Sequence, residues 1–310
     1  MNRFKLIFTG WAAVFALIFS VQAAEKFRVA TYNLENYIDN PASRRPIKSE
    51  AAKEKICENI LAIKPDVLAV EEIGSLPLLL DLRERLKKAG LEFPYYEFVS
   101  GWDTNIFVAV LSRFPIVARR SHTNESYLLN GKRFYVSRGI GEVDIQVNDK
   151  YKFTLFNCHL KSKRTVSDAD EAEMRAQEAS ILREKINARF AENPDANIVV
   201  AGDFNDVKDA PSTRIILGRL NSKIGLVDTR PAEQNGDNVK PSNPNYAPRN
   251  ITWTHFYGKE DTYSRIDYIL VSHGMAKEWV TNETYVLATP NWGLASDHRP
   301  IVATFIAEDK

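Results

Sequence analysis

Asp203 and Asn205 stand directly after the short apolar run Ile198-Val199-Val200-Ala201, in Gly202-Asp203-Phe204-Asn205. An apolar run of that length bounded by glycine reads as a buried strand, and Gly202 allows a tight backbone turn at its end. Residues two apart on an extended chain share a side, so a carboxylate and an amide arrive together, suited to holding and polarising a water. The same device recurs along the chain. Polar residues close other apolar runs at Asn33, Glu72, Asn157 with His159, Asp267 and Asp297-His298. Burying carboxylates is costly unless they are paired or bind metal, so repeating the device implies strand ends that converge. Convergent carboxylates and amides make a hard, oxygen-rich site suited to Mg²⁺ or Mn²⁺ with retained waters. Two histidines beside acids add proton-transfer groups. Together these are the requirements for cleaving a phosphate ester, and the residues point to a metal-dependent hydrolase.

The elements that must position these groups follow from periodicity. Phe27 to Leu34 alternates as a strand, and Ile56, Ile60 and Ile63 mark a helix face that stops before Pro65. A strand from Asp66 to Val70 runs into Glu71-Glu72, and Leu76 to Lys88 is helical. Tyr95 to Ser100, Ile106 to Leu111 and Ile116 to Arg119 are β-type, and Gly139 to Val147 with Tyr151 to Leu160 forms a hairpin around Asn148-Asp149. Ser167 or Asp168 caps a long helix reaching about Phe190, and a short helix begins near Ser212. Strands are expected at Ile251 to His255, Arg265 to Val271, Thr284 to Leu287 and Pro300 to Ile306. The polar connection 228–250 is long enough to be functional or mobile. Parallel crossovers early and late with hairpins between them fit an α/β (α+β) chain of two packed mixed sheets flanked by helices, in one domain over 24–310.

Residues 1–23 have a basic start (Arg3, Lys5), an apolar run and a small-residue site at Val21-Gln22-Ala23, which is the pattern of a cleaved export signal. An uncleaved membrane tether is the alternative. Loss of that segment takes the formal charge from +1 to −1, so the mature chain has no global field for polyanions. Any nucleic-acid affinity must come from a local basic patch and bound metal. Cys57 falls on a helix and Cys158 on a strand, and they are expected as two separate core thiols. His122, His255 and His273 lack acidic strand-end company and take surface or packing roles. Trp253 and Trp292 are expected in the core or as a cleft wall.

The ordered motifs Thr31-Tyr32-Asn33-Leu34-Glu35-Asn36, Pro65 to Glu72, Leu111 to Ile116, Asn157-Cys158-His159-Leu160, Gly202 to Asn205, Arg265 to Leu270 and Ser296-Asp297-His298-Arg299-Pro300 resemble the endonuclease/exonuclease/phosphatase superfamily. The resemblance implies a four-layer α/β/β/α sandwich with its site at one end of the two sheets. It implies Glu72 as principal metal ligand, with Glu71 where the family usually has Gln, Asp297 as second acidic group and Asn33 in the ligand shell. Asp203 would orient or deprotonate the attacking water and Asn205 would bind a phosphate oxygen. His298 would stabilise the transition state or take part in proton transfer, with Asp267 fixing its tautomer. His159 would contact phosphate or protonate the leaving oxygen, and Asn157 and Lys161 would contact substrate phosphate. Signatures of inositol 5-phosphatases are absent, the usual AP-endonuclease Tyr position holds His159, and no exposed aromatic hairpin of the sphingomyelinase kind is apparent. The expectation is an exported, Mg²⁺-dependent (or Mn²⁺-dependent) phosphodiesterase, foremost a nuclease on DNA or RNA. A lipid-headgroup or small-ester phosphodiesterase is the alternative, and a non-catalytic binding module a third reading. A monomer without protein partner, and without a membrane span after signal removal, is expected.

Overall fold

The computed structural model describes residues 25–43, 45–219, 221–234 and 252–310. The expected export signal and most of the 228–250 connection lie outside the described residues. A seven-stranded sheet runs in the order Ala232–Glu233, Trp279–Val286, Ile301–Ile306, Lys26–Tyr37, Val67–Ile73, Phe107–Ser112 and Tyr95–Val99. A six-stranded sheet runs Leu226–Asp228, Asp267–Ser272, Ile198–Asp203, Lys152–His159, Ile140–Gln146 and Ile116–Arg119.

Each sheet is built around one parallel crossover. The strand Lys26–Tyr37 passes through the helix Glu50–Ile63 to the parallel strand Val67–Ile73. Likewise Lys152–His159 passes through the helix Glu171–Glu192 to the parallel strand Ile198–Asp203. Each crossover strand then meets an antiparallel neighbour, Ile301–Ile306 in the first sheet and Asp267–Ser272 in the second.

Side-chain alternation sorts these strands into three apolar layers. Phe27, Val29, Val67, Ala69, Phe153, Leu155, Val199, Ala201, Ile269, Val271, Ile301 and Ala303 share the core between the sheets. Their even-numbered neighbours, such as Ala30, Leu68 and Val302, pack under the helices Glu50–Ile63 and Leu76–Lys88. On the far side, Phe156, Cys158, Val200, Tyr268 and Leu270 pack under Glu171–Glu192. The result is the four-layer α/β/β/α arrangement. Cys57 and Cys158 are free thiols on opposite outer layers.

Four details differ from the periodicity. The long helix starts at Glu171, because Asp170 accepts from the N–H groups of Ala172 and Glu173. Asp168 instead pairs with Lys132. The strand expected at Ile251 to His255 is a shorter one, His255–Tyr257, paired with Thr262–Ser264. A hairpin of Ser126–Leu129 with Lys132–Tyr135 and a helix at His273–Glu278 were not foreseen.

Candidate active site

The odd-numbered faces that form the inter-sheet core turn polar at one end. Above the apolar residues stand Thr31, Glu71 and Asn157, and beyond them Asn33, His159, Asp203 and Asp267, all buried. The register that pairs Asp203 with both His159 and Asp267 sets these three side by side. His298 joins from the loop before Ile301–Ile306, with Nδ1 at 2.9 Å and 3.1 Å from the two Asp267 oxygens. Its Nε2 is therefore aimed at Asp203 Oδ2, 3.8 Å away. His159 Nε2 lies 3.5 Å from the same oxygen and 3.9 Å from Glu72 Oε1.

Backbone strain places the acids on the facing sheet. Strict alternation would turn Glu72 toward the helices, but the pairing of Val67–Ile73 with Phe107–Ser112 shifts register between Glu71 and Ile73. Glu72 itself has φ 62°. Glu35, Asn36 and Asn205 are also at positive φ, 46°, 52° and 53°. Non-glycine residues in this region are strained, and such strain gathers at functional sites.

Charges in this layer are split. Burial, then the Asp267 charge, pushes the Asp203 carboxyl up to about 7. Burial works against a charged His298, but Asp267, Asp203 and Asp297 outweigh it and hold the ring well above its usual value. Burial, with Arg138, His298 and Arg45 nearby, holds His159 well below it. Neighbouring groups pushed apart in this way mark separate acid and base roles. Glu71 is forced well above the carboxylate range by burial and by Asp267, and accepts from Thr31 Oγ1 at 3.0 Å. A protonated Glu is neutral and shaped like Gln, which reconciles this position with the amide usual in the resembled motif.

A second, more open cluster adjoins these residues. Asp297 N–H donates to Glu35 Oε2, Asn36 N–H donates to Glu72 Oε2, and Lys48 Nζ lies 3.5 Å from Glu35. Burial, and then the Asp297 charge, raises the Glu35 carboxyl, with Glu72 adding to the effect. Three carboxylates thus face one ammonium, an excess of negative charge that a divalent cation would relieve. The oxygen donors of Glu72, Asp297 and Glu35 are of the type that suits a hard cation. Ligand atoms of His255, Asp297 and His298 lie within 4.8 Å of one another, as do those of Asp203, Asp267 and His298. The second of these groups is closed by its own hydrogen bonds, so the open side at Asp297 is the better place for a cation.

Several expected roles are corrected. Asn33 does not point at Glu72: its amide donates to Asp203 Oδ2 at 3.0 Å and its carbonyl accepts from Glu35 N–H. Asn205 spends its amide on Leu160 O and Asp203 Oδ2, so it braces Asp203 instead of reaching for phosphate. Asn157 is fully buried and donates to Val70 O and Ala109 O, tying one sheet to the other beneath the site. Lys161 turns its ammonium onto Ser162 O and Arg164 O.

His255 was missed. It bridges to His298 through the backbone, its ring centroid is 4.5 Å from that of His298, and Nε2 is 3.7 Å from Asp297 Oδ2. Its acidic partner is distant in sequence, so no local pattern signals it. His122 also has acidic company, Glu142 at 2.8 Å, but on an outer strand pair away from these residues. Beside His255, Trp253 packs edge-on against Trp292 and Tyr263, and Phe256 against Tyr263. The His255–Tyr257/Thr262–Ser264 hairpin exposes Tyr257 (39%) and Tyr263 (55%). It is an exposed aromatic hairpin that the sequence did not reveal.

The sequence profile of the Endonuclease/Exonuclease/phosphatase family matches residues 30–298. No curated protein matches the chain. Among solved structures it is similar to the human nocturnin catalytic domain with bound sulfate anion, at TM-score 0.60 and 17% identity over 90% of this chain and 94% of that one. It is also similar to SmcL, at TM-score 0.59 and 18% identity over 91% and 99% of the two chains. Truncated Caenorhabditis elegans TDP2 gives TM-score 0.58 and 15% identity over 91% and 98%. At these identities the likeness is one of fold. The profile, in contrast, spans the strand ends from Ala30 to His298 on which the buried acids and histidines are mounted, and the chain therefore belongs to the endonuclease/exonuclease/phosphatase family of phosphoesterases, which typically use a divalent cation.

Proposed function

We propose that this protein is an exported, Mg²⁺- or Mn²⁺-dependent nuclease that hydrolyses phosphodiester bonds in DNA or RNA. The observation that carries the phosphodiesterase part is the row of facing atoms His298 Nε2, Asp203 Oδ2, His159 Nε2 and Glu72 Oε1, with neighbours separated by 3.5–3.9 Å. These gaps exceed a hydrogen bond, and a water or phosphoryl oxygen seated to one side of the row can reach two of the groups at once.

Asp203, held by Asn33 and Asn205 and raised toward neutrality, orients the attacking water and accepts its proton. His298, kept charged by Asp267, donates from Nε2 to the phosphoryl oxygen on which charge builds in the transition state. His159 is neutral, so it contacts phosphate without serving as the proton source. A cation at Glu72 and Asp297 would, when bound, supply Lewis-acid stabilisation of the phosphoryl oxygens.

The nuclease reading is supported by arginines beside His159 and by aromatic walls at the cleft, which suit a polyanion carrying flat bases. The export reading rests on the pattern of residues 1–23. No helix among the described residues is long and apolar enough to cross a membrane. A second reading, a phosphodiesterase on a lipid headgroup or small ester, is favoured by the exposed tyrosines of the Tyr257/Tyr263 hairpin.

A substrate panel separates the two. The purified protein and His298→Ala are assayed with Mg²⁺ or EDTA on plasmid DNA, single-stranded DNA, RNA, bis-p-nitrophenyl phosphate and sphingomyelin vesicles. Nucleic-acid cleavage lost with EDTA and with His298→Ala is expected. Activity confined to lipid or small ester would replace the substrate, and no metal-dependent turnover on any substrate would overturn the enzyme reading.

A further inference from the structure

Two loops, around Gly101–Asp103 and Ser137–Gly139, are clasped backbone to backbone. Asp103 N–H donates to Ser137 O at 2.6 Å. A Cβ on Gly101 would lie 2.5 Å from Arg138 C and from Gly139 N, and one on Gly139, at φ 72°, would lie 2.5 Å from Ser100 O. Only glycines allow that approach. Its product is a flat pair, Trp102 on Tyr135, with ring centroids 4.1 Å apart and planes 7° from parallel. Trp102 is 65% exposed, so the face away from Tyr135 is open.

The same clasp sets two guanidinium groups against the catalytic residues. Arg45 Nη1 donates to Asn36 Oδ1 at 2.8 Å, and Asn36 N–H holds Glu72. Arg45 Nη2 lies 3.5 Å from Asp103 Oδ2, and Arg138 Nε lies 3.7 Å from the same oxygen. Arg138 Nη1 donates to the carbonyl of Leu160, the residue after His159, at 3.3 Å. This path runs from Glu72 to His159 through two arginines that share one carboxylate. Arg138 is 6% exposed, and its buried Nε has no hydrogen-bond partner. A planar fork next to a phosphoesterase centre matches a phosphate. The near-neutral chain supplies no general attraction for polyanions, so capture has to be local.

We propose that Arg45, Arg138 and Trp102 form a nucleotide subsite flanking the catalytic centre. The two guanidinium groups take the phosphate next to the scissile one, and Trp102 stacks on its unpaired base. The substrate class is therefore single-stranded, or locally unpaired, nucleic acid. This rests on the nuclease reading above and goes beyond it by naming where the neighbouring nucleotide sits.

The test uses the full chain, Trp102→Ala, Trp102→Phe and Arg45→Ala on two substrates of equal length. One is an oligothymidylate octamer and the other an octamer of base-free deoxyribose phosphates. Trp102→Ala is expected to raise KM for the oligothymidylate about tenfold and that for the base-free octamer less than about twofold, with Trp102→Phe restoring most of the loss. Arg45→Ala is expected to raise KM on both and to reduce the slope of log kcat/KM against log salt by about 1. Equal effects of Trp102→Ala on both substrates, or none on the oligothymidylate, would overturn the subsite while leaving the nuclease reading intact. A wild-type protein that cleaves plasmid DNA or RNA but neither octamer would overturn the subsite alone, and one that cleaves no nucleic acid would overturn both.

Discussion

Both Asp267 carboxylate oxygens accept from His298 Nδ1–H, so Asp267 determines which ring nitrogen faces Asp203 and keeps the ring charged. Asp267→Asn keeps the shape and removes the charge. The expected result is a kcat lowered by about 10²–10⁴, the range seen when the acid orienting a catalytic histidine becomes an amide. KM and the thermal midpoint should change little, and a loss smaller than fivefold would remove Asp267 from the machinery. His159 and Asp203 were legible because each closes an apolar run on the same alternating face, Asp267 because it opens one, and His298 because its polar motif directly precedes one. Asn33, Asn157 and Asn205 were legible as polar strand ends, but an amide donates and accepts equally well. Its partner is decided by packing: Asp203 for two of them and the facing sheet's carbonyls for the third. His255 was illegible because its acid, Asp297, is brought to it only by the Phe256–Asp297 and Arg299–Thr254 backbone hydrogen bonds.

At the scale of elements, the two parallel crossovers carry the site, and Gly202 sets the close approach between the two strands of the second. It sits at φ 131° opposite Cys158 in the register, and a Cβ there would lie 1.9 Å from Cys158 O. Gly202→Ala must push apart the strands that hold Asp203 and His159. A destabilisation of about 3–5 kcal/mol is expected, since backbone strain and a steric clash against main chain act together. Urea denaturation measures it, and a change below about 1 kcal/mol would show that the strand ends yield freely. The long strands were readable because both their faces are apolar and alternation assigns each face a layer. The short hairpin Ser126–Tyr135 was not, although Asn130-Gly131, both at positive φ, is a two-residue turn signal. Four-residue flanks give alternation too little length to stand out.

For the whole molecule, the acidic cluster couples function to stability. Glu35, Glu72 and Asp297 are gathered around Lys48 by two neighbouring strands of one sheet and a loop, and burial and mutual repulsion raise the Glu35 carboxyl. The fold therefore bears a like-charge cost that a cation would remove, and binding to the native state alone stabilises it. With Mg²⁺ at about ten times its Kd, the native state should gain about 1.4 kcal/mol, a rise in Tm of about 2–3 °C for a domain of this size. Glu72→Gln removes one of the repelling charges and the proposed cation ligand together. In EDTA that variant should melt at or above the wild type, and it should lose most of its response to Mg²⁺ while turnover is abolished. The sign of the EDTA effect matters, because a merely structural Glu72 would make the variant melt lower with or without metal. Differential scanning calorimetry of both proteins across a Mg²⁺ titration distinguishes these cases. An equal Mg²⁺ shift in the two would place the cation away from Glu72 and leave the cluster as a charge network held by Lys48.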